Sequence, residues 1–284
     1  MTTGDLKALT PTSFRRGNLP ADAAADPAAR VMVLDMQELM PGIQRLRDWT
    51  LAALAPQPGE TAVDLGCGTG AEVRRLAALV GPAGRAVGIE PHAGLRTQAE
   101  ARALAEGSTA VFVEGDAPAL PFEDGTVDVI RSERVFQHLD DPAAAAREIA
   151  RVLAPGGRVA LVDSDWGSMV QSMGEPDVVR RLMDASFRRW TNPFAGRSLR
   201  WLLRRAGLVV DAEVGADAAV LPEEQLRVPV LLRNSIEHAL ADGAITVEEG
   251  DRLERDNIAG AERGEAFVAV MMFSVIGRSV DPAG

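Results

Sequence analysis

The segment Val63-Asp64-Leu65-Gly66-Cys67-Gly68-Thr69-Gly70 constrains this chain most, because it joins an apolar run to an amphipathic one through three glycines. Gln57-Pro58-Gly59-Glu60 are turn formers, and Thr61-Ala62-Val63 reads as a short buried strand. Beyond the glycines, Val73, Leu76, Leu79 and Val80 fall on one face of a helix. A strand, a glycine turn and a helix together place a ligand at a helix N-terminus.

Gly66-x-Gly68-x-x-Ala71 also satisfies the dinucleotide fingerprint, so the bare pattern decides little. Electrostatics separates the readings. A dinucleotide brings a pyrophosphate to the turn, and Asp64, two residues before the first glycine, repels it. S-adenosylmethionine has no phosphate and carries two cationic groups, so the same carboxylate favours it. The next strands repeat the theme. Arg85–Glu90 ends in Glu90, 26 residues after Asp64 and suited to the ribose hydroxyls of a nucleoside. Thr109–Asp116 ends in Asp116, followed by Ala117 and suited to an adenine amino group. Asp64, Glu90 and Asp116 at three successive strand ends read as an acidic nucleoside pocket.

These stretches, with Leu153-Ala154-Pro155-Gly156-Gly157, resemble the successive motifs of class I S-adenosylmethionine-dependent methyltransferases. The similarity is to the ubiquinone/menaquinone-biosynthesis-like branch (methyltransferase type 11) and its small-molecule relatives, over roughly residues 45–165. It implies a Rossmann-like α/β fold, doubly wound. The sheet would be seven-stranded and mostly parallel with an antiparallel edge strand, carrying helical N-terminal and lid elements. It also implies a cofactor pocket of Asp64, Gly66, Cys67, Gly68, Gly70, Glu90, Pro91, Asp116, Ala117 and Ser132. The loop 66–70 would hold the methionyl part, Glu90 the ribose and Asp116 the adenine. Residue 90 is Glu where many relatives have Asp, which shifts the ribose contact without removing it.

The 284 residues suit one domain with insertions. A hydrophobic fraction of 46% and a charged fraction of 25% are those of an ordinary globule. The net charge of -11 makes nucleic acid a poor partner. The arginines between Arg180 and Arg205 read as a solvated helix face. Cys67, the only cysteine, reads as a loop filler, and no intrachain disulfide can form. Without a signal-like or membrane-spanning apolar run, the expected location is the cytoplasm, with no membrane partner.

Residues 1–30, rich in Ala, Asp, Pro and Thr, are expected to be partly disordered or loosely docked. Residues 1–54 form a tail with cap helices 31–40 and 43–54, and residues 55–284 the methyltransferase domain. Within that domain the pattern predicts strand 61–65, helix 71–80, strand 85–90, helix 92–106, strands 109–114 and 126–131, helix 142–153 and strand 158–163. Asp141 is the candidate N-cap of helix 142–153, with Pro142 at its first position. Helical inserts are expected at about 166–200 and 222–263, with strands at 208–214 and 266–276. The second insert is a lid or an oligomer surface, so a homodimer stays open.

Ligands lie beyond the carboxyl ends of parallel strands, which points to the loop 131–141. His138 is the candidate general base, since imidazole titrates near neutral pH; the alternative is that it orients the loop or caps the next helix. Arg134, four residues earlier, shares its face if the stretch is helical. Asp165 is the second catalytic candidate. His92 packs on the cofactor or faces solvent, and His238 reads as a surface residue. Asp140, Asp141, Asp163 and Asp165 match no metal-ligand spacing, so no metal is expected.

Candidate acceptor walls are Met32, Met36 and Met40, with Trp166, Met169, Met173, Phe187, Trp190 and Phe194. Each alone is ordinary core, but together they favour an apolar or aromatic small molecule, such as a quinone precursor or other secondary metabolite. The expected reaction is methyl transfer to O, N or C of that acceptor. One rival is a protein that holds the cofactor without transferring methyl, as a structural group or for cyclisation. Another is a nicotinamide oxidoreductase, which Asp64 and Asp116 disfavour.

Overall fold

A computed structural model describes residues 27–280. Two cap helices, α1 (Pro27–Glu38) and α2 (Pro41–Leu54), precede an alternating series. That series is β1 (Thr61–Leu65), α3 (Ala71–Val80), β2 (Arg85–Ile89), α4 (Ala93–Ala105), β3 (Val111–Val113), β4 (Val127–Glu133), α5 (Pro142–Val152) and β5 (Leu153–Gln171). There follow α6 (Pro176–Phe187), α7 (Ala195–Arg205), β6 (Val209–Val220), α8 (Glu223–Arg227), α9 (Val230–Ala241), α10 (Val247–Glu262) and β7 (Val268–Arg278). The seven strands form one sheet in the order β3-β2-β1-β4-β5-β7-β6. β1 to β5 are mutually parallel, and β7 runs antiparallel to both β5 and β6. The antiparallel element therefore sits one place in from that edge, with β6 outermost.

Strand alternation builds two cores. Val63, Leu65, Val87, Ile89, Ile130 and Leu161 face α5 and α7. Ala62, Ala86, Val129 and Ala160 face α2 and α3. Asp64 shares the α2/α3 side with Ala62, by the period of two. A third cluster, from α6, α9 and α10, forms the core of the helical lid.

Several boundaries differ from the sequence pattern. The first cap helix begins at Pro27, so residues 27–30 are helical; the expectation for 1–26 falls outside the described residues. β5 continues through Gln171 because β7 offers it a partner as far as Val268, so the first helical insert starts only at Pro176. β3 spans only Val111–Val113, leaving Asp116 on the loop beyond it. Asp141 does cap α5, accepting from the Ala144 amide at 2.8 Å.

The cap helix α2 approaches β6 closely enough that a β-carbon at Gly42 would lie 1.9 Å from the Ala218 carbonyl oxygen. Backbone cannot swing aside as a side chain can. Gly42→Ala should therefore destabilise the protein by about 1–3 kcal/mol, read as a lower urea midpoint.

Candidate active site

The glycine turn consumes its own amide protons. The Gly66 and Cys67 N–H groups donate to the Ile89 carbonyl at 2.8 and 3.0 Å. The Gly68 N–H donates to Glu90 Oε2 at 3.0 Å. Gly66, Gly68 and Gly70 have φ of 72°, 53° and 76°, the left-handed region that glycine tolerates. A pyrophosphate would meet the Glu90 carboxylate here, and the Gly66, Cys67 and Gly68 amides already have acceptors. Glu90 Oε1 also accepts from the His92 amide at 3.0 Å and lies 2.9 Å from its Nδ1.

The turn opens onto one cavity of about 910 Å³. Asp64, Gly66, Cys67, Gly68, Glu90, Pro91, Asp116 and Ala117 line it. Gly70 and Ser132 do not. Gly70 is backed by Phe112, and the Ser132 hydroxyl donates to the Leu65 carbonyl at 3.2 Å. Cys67 is buried, and burial, with Asp64 and Glu90 adding, raises its thiol well above the ordinary range. It remains a neutral filler.

A cluster of buried charge forms part of the wall beside Asp64. Arg131 stands opposite Asp64 in the β1–β4 register and donates to it at 3.1 Å. It also donates to Glu133 at 2.6 Å, two residues along the same face of β4. Arg47 of α2 binds Glu133 through two bonds of 2.8 and 2.9 Å, and Arg134 meets the same carboxylate at 3.1 Å. Arg131 Nε and Glu72 Oε2 are buried 3.9 Å apart without hydrogen-bond partners. Burial pushes Asp64 up to about 7 against the pull of Arg131, with Glu72 and Glu133 adding to the rise. Burial acts on Glu133 in the same sense, but Arg47, Arg134 and Arg131 outweigh it and hold the carboxyl well below the usual range. Asp64 was expected to serve a cationic cofactor, directly or by fixing the loop; in the structure Arg131 stands at its side.

Arg134 has φ of 57°, a strained value for a side chain of its size. Its amide on the Val162 carbonyl (2.8 Å) and its guanidinium on Glu133 fix that bend. The bend ends β4, and Phe136–His138 forms a single 3₁₀ turn. Arg134 and His138 therefore share no helical face, contrary to the spacing argument. Both line the cavity. Burial, with Arg134 and then His92 adding, lowers the His138 imidazole to about 4, so it is neutral at physiological pH. Capping of α5 falls to Asp141, not to His138.

Asp165 is excluded from the cavity by alternation along β5: Ser164 and Trp166 line it, whereas Asp163 and Asp165 point away. Arg197 grips Asp165 with two hydrogen bonds, one of them 2.7 Å. Asp163 accepts from the Gln137 amide at 3.1 Å, and the Gln137 side chain accepts from Trp166 Nε1 at 2.8 Å. Of the apolar candidates, Met32, Met36, Met40, Trp166, Met169 and Trp190 line the cavity. Phe187 stacks edge-on behind Trp190, Phe194 lies behind Phe187, and Met173 packs on Gly260. His238, read as a surface residue, lines the cavity too. So does His92, and all three histidines of the chain thus face one space.

A family described as a methyltransferase domain matches residues 63–161. The chain is 35% identical over 255 residues to a 37.1 kDa protein in transposon TN4556 of Streptomyces fradiae, covering 88% of this chain and 71% of that one. The chain belongs to the class I S-adenosylmethionine-dependent methyltransferases. A demethylmenaquinone methyltransferase of Roseiflexus castenholzii is 37% identical over 157 residues, 51% of this chain and 63% of the relative. The chain thus spans less than two thirds of that quinone-type relative. The solved structure of an S-adenosylmethionine-dependent methyltransferase from Aquifex aeolicus has the same fold, with a TM-score of 0.53 at 18% identity over 90% of this chain and 99% of that one. S-adenosylmethionine is accordingly the cofactor, and a cavity with an acidic, phosphate-averse end fits it. No helix among the described residues is long and apolar enough to cross a membrane.

The lowered His138 pKa has a thermodynamic signature. Between about pH 6.5 and 4 the unfolded state binds a proton at this position that the folded state refuses, so its contribution to stability is present above that window and lost as pH falls. Asp64 and Asp163, both raised to about 7, act in the opposite sense. The test is therefore a difference: urea unfolding of wild type and His138→Gln at pH 7 and pH 5 should show the variant losing less stability on acidification.

Proposed function

We propose that this enzyme methylates O, N or C of an apolar or aromatic small molecule, of quinone or other secondary-metabolite type, in the cytoplasm. The observation that carries the reading is a single cavity with an acidic end and an apolar end. Asp64, Glu90 and Asp116 line the first; Met32, Met36, Met40, Trp166, Met169 and Trp190 line the second. The quinone-type relative supports the same acceptor class.

When bound, S-adenosylmethionine supplies an electrophilic methyl group on sulfur. In this reading Glu90 accepts from the ribose hydroxyls while anchoring the turn through Gly68, and Asp116 accepts from the adenine amino group. Asp64, steadied by Arg131, faces the aminoacyl end. Transfer is an in-line displacement, so most of the acceleration comes from alignment of the acceptor lone pair with the carbon–sulfur bond. His138 is neutral and weakly basic, because burial, and then Arg134, disfavour the imidazolium. Its role is to accept a hydrogen bond from the acceptor and aim that lone pair, and to take the proton as the new bond forms. Helices α8 and α9 act as the lid, since Gln225, Leu226 and Leu232 line the cavity. A screen of hydroquinones, naphthols and phenols for S-adenosylhomocysteine release tests the reading; strict preference for a basic peptide would refute it.

Two substitutions probe the assignments. Glu90→Ala should weaken S-adenosylhomocysteine binding by about 1.5–3 kcal/mol in calorimetry, and unchanged affinity would remove Glu90 from the ribose site. With an acceptor in hand, His138→Ala should lower turnover about 10²-fold while cofactor affinity holds. The ratio of wild-type to His138→Ala activity should stay level from pH 8 to pH 5, where a histidine of ordinary pKa would already have titrated.

A further inference from the structure

The lid helix α9 brings three polar residues to the cavity, Asn234, Ser235 and His238, and of these Asn234 already has a partner. Val228, Leu232, Ser235 and His238 line the cavity here, as do Leu182, Met183 and Trp190. Ser235 and His238 are one helical turn apart and so sit side by side. Both are half-buried, and among the described residues neither side chain hydrogen-bonds or ion-pairs with another. Nearby polar groups are occupied: Asn257 donates to the Leu226 carbonyl at 3.0 Å, and Gln225 reaches Met36 Sδ at 3.6 Å. α9 packs on α6 and α10, whose apolar core lies behind it, and belongs to none of the loops that follow β1, β2 or β3.

A polar pair in an apolar cavity wall gains nothing from its apolar neighbours, and such groups fix the orientation and identity of a ligand. A hydroxyl and an imidazole together can offer both donors and acceptors to one oxygen function. Building on the small-molecule reading above, we infer that Ser235 and His238 form a recognition site for a second oxygen function of the acceptor, a hydroxyl or carbonyl remote from the atom that is methylated. The acceptor class is then an apolar ring system oxygenated at both ends. One oxygen-bearing end meets Ser235 and His238, which keeps the other directed at the glycine turn. His238 is a specificity residue here, and no proton transfer is asked of it.

The test uses two probes that differ by one oxygen, 1-naphthol and 1,5-dihydroxynaphthalene, titrated into S-adenosylhomocysteine-loaded protein. Quenching of Trp166 and Trp190, which line the cavity, reports binding. Wild type should bind the diol about tenfold more tightly, the value of one hydrogen bond to a neutral partner. His238→Phe with Ser235→Ala should abolish that preference and leave S-adenosylhomocysteine affinity unchanged. His238→Gln should restore part of it, which excludes a loss of folding as the cause. Equal binding of both probes by wild type would overturn the inference and leave the small-molecule reading standing. Failure of both probes to bind would overturn both.

Discussion

The pairing of Arg131 with Asp64 and Glu133 is the interaction on which the rest of this structure depends. It lies across the β1–β4 register, next to the apolar pairs Ala62–Val129 and Val63–Ile130, and it carries charge to the cavity wall. A buried carboxylate costs several kcal/mol unless paired, so Asp64 can stay beside the glycine turn only because Arg131 lies next to it. Glu133 then draws in Arg47, which ties the cap helix α2 to the sheet, and Arg134, whose strained backbone turns the chain toward His138. One ionic cluster thus sets the cofactor loop, the cap and the acceptor loop at the same time.

The acidic strand ends and the apolar lid divide the labour of the cavity. Rigid parallel strands with short loops hold Asp64, Glu90 and Asp116 against the cofactor, as positioning demands. The acceptor side is built from Met32, Met36 and Met40 of the N-terminal cap and from later elements: the extended β5, α6 and the helices between β6 and β7. Their contacts are largely apolar and their core is separate from the sheet's two cores. Acceptor selectivity can therefore vary with the lid while the cofactor half stays fixed.

Much of this was legible in the chain. The turn 66–70, the acids at 64, 90 and 116 and the cap at Asp141 follow from local rules of charge, glycine conformation and helix termini. The missed features are those set by partners distant in sequence. β5 outruns its own pattern because β7, about a hundred residues later, pairs with it. Asp165 lost its candidacy to Arg197, and Ser132 to the Leu65 carbonyl; alternation along β4 and β5 could have shown both. His238 went unrecognised because its helix looks amphipathic without revealing which face covers the cavity. Arg131 and Glu133, spaced by two on a strand, were a visible signal of a charge pair on one face.

The central claim is that the acidic turn, with Asp64 and Glu90 at its edge, selects a phosphate-free nucleoside and rejects a dinucleotide. Calorimetric titration of the wild-type protein with S-adenosylhomocysteine and, separately, with NAD measures this directly. The account predicts micromolar binding of S-adenosylhomocysteine and no detectable heat from NAD. Micromolar NAD binding with indifference to S-adenosylhomocysteine would contradict it.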